Sequence, residues 1–129
     1  MSRQGFCTHY HCGPEAAQWI GQEFDRICAE LEGRNEYADV CVTVDTHGVA
    51  FEADAESWGD VDMVAQLVTS AQRRFPDLPE FHMEYSRWPD NWSLSGGSFG
   101  GGALACRNGE ARRMDTRDWL TLQGAPQED

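Results

Sequence analysis

The stretch Asp39-Val40-Cys41-Val42-Thr43-Val44-Asp45-Thr46-His47-Gly48-Val49-Ala50-Phe51-Glu52-Ala53-Asp54 decides how this chain folds. Val40, Val42 and Val44 alternate with Asp39, Cys41, Thr43 and Asp45, and a period of two sorts side chains onto the two faces of a strand. Thr46-His47-Gly48 turns the chain. Val49, Phe51 and Ala53 then alternate with Ala50, Glu52 and Asp54, giving the partner strand of a hairpin. One face of this hairpin is apolar and demands a cover. The other is rich in carboxylates.

Upstream, Ala17, Ile20, Phe24, Ile27 and Leu31 recur at steps of three and four, the stripe of an amphipathic helix over Glu15 to Leu31. Pro14 suits its first turn, where the missing N–H leaves no bond unmade, and Gly33 is the expected stop. Gly5 to Cys12, short and aromatic, reads as an opening strand. Downstream, Asp60 is placed to cap a second helix carrying Val64, Leu67, Val68, Ala71 and Phe75, with Pro76 ending it. Phe81, Met83 and Tyr85 alternate with His82, Glu84 and Ser86 as another strand, closed by Pro89. The order β-α-β-β-α-β predicts an α+β fold, a ferredoxin-like βαββαβ sandwich over residues 5–88. Residues 89–129 read as a C-terminal extension with a glycine-loosened strand between Trp92 and Ala105. An Asn108-Gly109 turn and a returning strand from Ala111 to Thr116 follow, then a helical turn from Asp118 to Leu122. With no repeat and no linker, residues 1–129 are expected to form a single domain.

The charge is uneven. The 129 residues hold 22 acids and 10 arginines, with no lysine, for a net −12. Residues 15–62 contain 13 acids against Arg26 and Arg34, a net −11, whereas residues 63–127 balance seven acids with seven arginines. The excess sits in a segment that reads as folded, so it is no acidic tail, and it argues against a protein that grips phosphates. Neither a leader-like start nor a long apolar run is present, and five irregularly spaced cysteines read as reduced thiols. A cytoplasmic protein, with no membrane partner, is expected.

Several clusters invite a chemical reading. Cys7, His9 and His11 would point to one face of a strand, while Cys12 points to the other. The three are therefore candidate zinc ligands that still need a fourth, such as Asp39, Cys41 or His82. The glycine run from Gly96 to Gly102 lacks the Gly-Lys-Ser/Thr ending and the parallel strand of a nucleotide loop, so bulges or close backbone contacts are expected there instead. No nucleophile elbow is present, and no pair among the many carboxylates stands out. Catalysis is not expected, and no cofactor other than zinc suggests itself.

If the valines and aromatics of the strands pack under the helices, Asp39, Asp45, Glu52, Asp54 and Glu84 share the opposite face. The first helix adds Glu15, Glu23, Asp25, Glu30 and Glu32. An RNA-binding sheet would need aromatic and basic residues there, so direct nucleic-acid binding is disfavoured. Trp58, Trp88, Trp92, Phe99 and Trp119 lie in or beside irregular segments. They either cap the core or, with Arg87 and Arg112-Arg113, anchor an interface; Trp88 and Trp92 are the chosen candidates.

Three segments together carry a resemblance. Phe6-Cys7-Thr8-His9-Tyr10-His11-Cys12-Gly13-Pro14-Glu15 runs from strand through Gly-Pro into helix. Phe51-Glu52-Ala53-Asp54-Ala55 leads through Trp58 to a helix ending Arg74-Phe75-Pro76-Asp77-Leu78. A strand with Glu84-Tyr85 and a glycine-bearing strand from Ser95 to Gly102 follow. Over roughly residues 5–105 this is similar to the ferredoxin-like domain of the YubB type found in small phage and plasmid proteins. The resemblance implies a mobile-element protein without an established catalytic site.

Charge and resemblance together lead to one expectation: a non-catalytic acidic protein that inhibits a host nucleic-acid-binding defence complex by mimicking nucleic acid. Anti-CRISPR or anti-restriction activity is its concrete form. The alternatives are a small metal-binding domain built on Cys7, His9 and His11, and a structural adaptor.

Overall fold

The structure, a computed structural model, describes residues 2–53, 60–89 and 100–115. In chain order the elements are β1 (Ser2–Tyr10), α1 (Pro14–Glu32), β2 (Cys41–Val44), β3 (Val49–Ala53), α2 (Val61–Arg74), β4 (Phe81–Pro89), β5 (Gly100–Arg107) and β6 (Glu110–Asp115). The class is α+β, as the element order predicts. All strand pairs are antiparallel, in the order β2-β3-β1-β4-β5-β6. β1 divides its pairing: Ser2–Gly5 pair with β4, whereas Phe6–Tyr10 pair with β3. The sheet is thus two ladders joined through one strand.

Alternation decides which face is buried. Phe6 and Tyr10, Val49 and Phe51, Phe81, Met83 and Tyr85, and Leu104 and Cys106 pack into one core with Ile20, Val64, Leu67 and Val68 of the helices. Burying a side chain the size of Leu67 or Phe51 contributes about 1.5–3 kcal/mol, so this stripe outweighs any single polar contact. Cys7, Cys41, Glu52, His82 and Glu84 are exposed on the other face. Helix α1 packs against β2 and β3, and α2 against β5 and β6. An edge-to-face contact of Trp19 with Phe75 joins the two helices.

The caps follow the sequence with one exception. Pro14 opens α1, and the Asp60 carboxylate accepts a bond from the Met63 N–H at 2.9 Å. Gly33, however, keeps a right-handed φ of −61°, and Asn35 supplies the left-handed residue at φ 58°. The chain turns two residues later than the glycine suggests, with the Glu36 N–H bonded back to the Leu31 carbonyl at 2.8 Å. Asparagine tolerates this conformation because its short polar side chain can bond locally.

Of the glycine run, Gly96 to Phe99 lie outside the described residues. Gly102 pairs with Tyr85, and a Cβ there would lie 2.4 Å from the tyrosine ring. The ring lies over bare backbone, the close approach that such a run permits. Asn108 and Gly109 both take positive φ, which closes the β5–β6 hairpin with the twist its strands need. The expected helical turn at Asp118 to Leu122 lies outside the described residues.

A polar hub fixes this hairpin to the rest. Gln72 is only 4% exposed, yet its Nε2 donates to the Cys106 carbonyl at 2.9 Å, the Pro79 carbonyl at 3.2 Å and the Tyr10 hydroxyl at 3.3 Å. Its Oε1 accepts the Gly109 N–H at 3.0 Å. A buried amide is tolerated because both its ends are satisfied.

Candidate functional site

The β2–β3 turn is organised by Asp45. Its Oδ1 accepts the backbone N–H groups of His47 at 2.7 Å and Gly48 at 2.8 Å, while Oδ2 accepts Nε2–H of His9 at 2.7 Å. These donors favour the carboxylate, so its pKa falls from 3.8 to about 2, chiefly through the His47 N–H and next through His9. Gly48 is forced by proximity: a Cβ would come within 1.8 Å of the Tyr10 carbonyl oxygen. Asp45 is therefore both a surface charge and the clamp that closes the hairpin onto β1.

Across the same open face, Cys41, Glu52 and Cys7 form one cross-strand row. The Cys7 thiol donates to Glu52 Oε1 at 3.5 Å, and that bond to a carboxylate is the main reason its pKa is raised. A thiol held protonated is poorly suited to ligate a metal or attack an electrophile. His9 turns to Asp45 and stacks at a tilt on His11, ring centroids 4.3 Å apart. Its Nδ1 is buried and has no hydrogen-bond partner among the described residues.

The three candidate zinc ligands, Cys7, His9 and His11, share a face, but the structure does not gather them. Among the described residues no group of three or more His, Cys, Asp or Glu is arranged to hold a metal ion. Alternate residues of a strand stand roughly 6.5–7 Å apart, whereas zinc ligands must converge to bonds of about 2 Å. Here Cys7 and His9 instead diverge toward Glu52 and Asp45. The described residues thus give the zinc expectation no geometric support.

The partner-binding candidates separate in the same way. Asp39 is half-buried where the chain enters β2, and its backbone carbonyl accepts the Asp60 N–H at 3.2 Å. Glu52 and Glu84 are exposed. Trp88 occupies β4 opposite Arg3, with its side chain outside the described residues. Asp54 and Trp92 also fall outside, as do Trp58, Phe99 and Trp119. Arg113 sits on the helix-bearing face, bonded to the Tyr85 hydroxyl at 3.0 Å and to Asp62 at 2.7 Å. On α1, Arg26 pairs with both Glu23 and Glu30, which partly neutralises that acidic side.

Asp39 and Glu52 are brought to one cleft of about 710 Å³. Phe6, Phe24, Val40, Val42 and Ala53 form its apolar lining, and Cys7 and Cys41 complete its wall. Strand alternation shows that the carboxylates share a face, but not that Phe24 of α1 lines the same cleft. Tyr37, 84% exposed on the segment between α1 and β2, is a second feature that periodicity does not reveal. No helix among the described residues is long and apolar enough to cross a membrane. No protein-family model matches this chain, and neither the curated proteins nor the solved structures provide a match.

Proposed function

We propose that this protein is a non-catalytic binding module whose α1/β2/β3 side occupies a basic surface on a nucleic-acid-binding complex. In its concrete form it is a phage or plasmid inhibitor of a host defence complex, of anti-CRISPR or anti-restriction type, working in the bacterial cytosol. The observation that supports this most is the grouping of charge. Residues 14–53 carry nine acids against Arg26 and Arg34, and α1, β2 and β3 lie together at one end of the sheet. Opposed potentials speed encounter and set register, which is what a competitor of nucleic acid requires. Within this reading the first four strands and two helices form a ferredoxin-like unit, supported by the order β2-β3-β1-β4. The YubB-type assignment rests on the sequence segments alone.

The test is capture from a bacterial lysate with the untagged face presented, followed by elution with nucleic acid. The expected result is a nucleic-acid-binding complex released by a DNA or RNA oligonucleotide and by raised salt. Capture that resists both would contradict mimicry.

A further inference from the structure

We infer that the outer edge of β2 is a strand-addition site, at which an extended segment of the basic partner pairs backbone to backbone. This rests on the proposed function and names its mode of contact. β2 ends the sheet, with β3 as its neighbour on one side. The Asp45 N–H bonds the Gly48 carbonyl at 2.9 Å, so along the antiparallel register the inward-bonded residues recur at Thr43 and Cys41. Val42 and Val44 therefore turn their N–H and C=O groups outward, where no strand among the described residues pairs with them. The opposite edge is protected: charged residues fill four of the six positions of β6, which discourages pairing. β2, Cys41-Val42-Thr43-Val44, has no charge and no proline. The two large hydrophobic side chains exposed among the described residues also stand here: Tyr37 precedes β2, and Val44 ends it. α1 runs beside this edge, since a Cβ on Gly21 would lie 2.8 Å from Val44 Cγ2.

Charge selects the occupant. A second copy would set the nine acids and two arginines of residues 14–53 against the same excess, whereas a basic segment meets opposite charge. Alternation then fixes the chemistry of that segment. Apolar residues lie on the Val44 side, and arginine or lysine on the open face with Asp45 and Glu52.

The test needs no natural partner. Amide shifts and amide hydrogen exchange of the isotopically labelled protein are followed by NMR during titration with an acetylated, amidated peptide, Arg-Val-Arg-Val-Arg-Val-Arg. Two control peptides are N-methylated, one at the valines and one at the arginines, so that each loses the donors of one edge. A third carries citrulline, a neutral isostere, in place of arginine. The expected result is saturable shifts centred on β2, with exchange at Val42 and Val44 slowed about tenfold or more. One methylated peptide should bind like the parent, and the other about tenfold or more weaker, as the loss of two or more backbone hydrogen bonds implies. The citrulline peptide should also bind more weakly, and Val44→Pro, which deletes an outward N–H, should bind none. The variant's own spectrum reports that it is folded, and the peptide controls require no variant. Equal affinity of the two methylated peptides, equal affinity of the citrulline and parent peptides, or no saturable shift would each overturn the inference. So would protection of Val42 and Val44 before peptide is added; protection that rises with protein concentration would assign the edge to a second copy. Lysate capture is scored separately: nucleic-acid-sensitive capture that Val44→Pro retains would leave the proposed function standing without this mode of contact.

Discussion

The two ends of the sheet solve different problems with similar numbers of acids. The described residues 14–53 hold nine acids and two arginines, whereas 60–89 and 100–115 hold seven acids and six arginines. At the second end, cations serve the fold: Arg113 ties β6 to Asp62 of α2, and Arg73 bonds the Gly109 carbonyl at 2.7 Å. At the first end Arg26 pairs with Glu23 and Glu30 and Arg34 makes a long contact with Glu36, while Asp45 is held by backbone N–H groups and His9, and Glu52 by the Cys7 thiol. Backbone donors fix a carboxylate in place without cancelling its charge. A negative surface can thus be ordered and remain negative, which is the property a basic partner would use.

This contrast can be broken first at its strongest internal tie. Gln72→Leu removes an amide that serves the Cys106 carbonyl and the Gly109 N–H, leaving both buried without that partner. With each orphaned group costing about 1–3 kcal/mol, urea denaturation should show a loss of roughly 2–5 kcal/mol. A change below 0.5 kcal/mol, on the order of an ordinary surface substitution, would remove the hub from the account.

On the acidic side, Asp45→Asn should lower the melting temperature by less than Gln72→Leu does, since the clamp is exposed. Its pH dependence is more telling than its size. The native pKa near 2 lies below the ordinary 3.8, so the stabilisation is complete above that ordinary value and disappears as pH falls through about 2. The stability gap between wild type and Asp45→Asn, measured from pH 6 down to pH 2, should therefore narrow. A gap that stays constant would mean the side chain's charge does not hold the turn.

The smallest effect is expected at Arg113→Met. The methionine retains packing over Tyr85 but gives up a hydroxyl bond and a half-exposed ion pair, worth about 1 kcal/mol together. Thermal denaturation that shows no loss would place these contacts among the many surface pairs that contribute nothing measurable.

The sequence made the elements legible because burial imposes period: the alternation at 40–53 and the stripes of both helices have no other economical reading. It was less explicit where a polar residue occupies a buried position. Gln72 lies four residues after Val68, on the apolar stripe of α2, and only the tertiary positions of Cys106 and Gly109 explain it. The hairpin strand Glu110-Ala111-Arg112-Arg113 is polar on both faces, so alternation could not tell that Arg113 turns to the helices. The site was half visible. Asp39, Asp45 and Glu52 were selected by their parity, but the pairing of Glu52 with Cys7 depends on a register between strands 45 residues apart. No local pattern encodes that register, and the same holds for the approach of Phe24 to the cleft.

On the proposed function, the α1/β2/β3 side, rather than the β5–β6 side, meets the partner through its charge. The direct measurement is the affinity of the purified captured complex for three proteins across a range of ionic strength: wild type, Asp39→Arg with Glu52→Arg, and Arg107→Glu with Arg112→Glu. All four positions lie outside the core. The first pair of reversals should abolish binding, while the second should leave affinity and its decline with salt close to wild type. Binding retained in the Asp39/Glu52 variant and lost in the Arg107/Arg112 variant would contradict it.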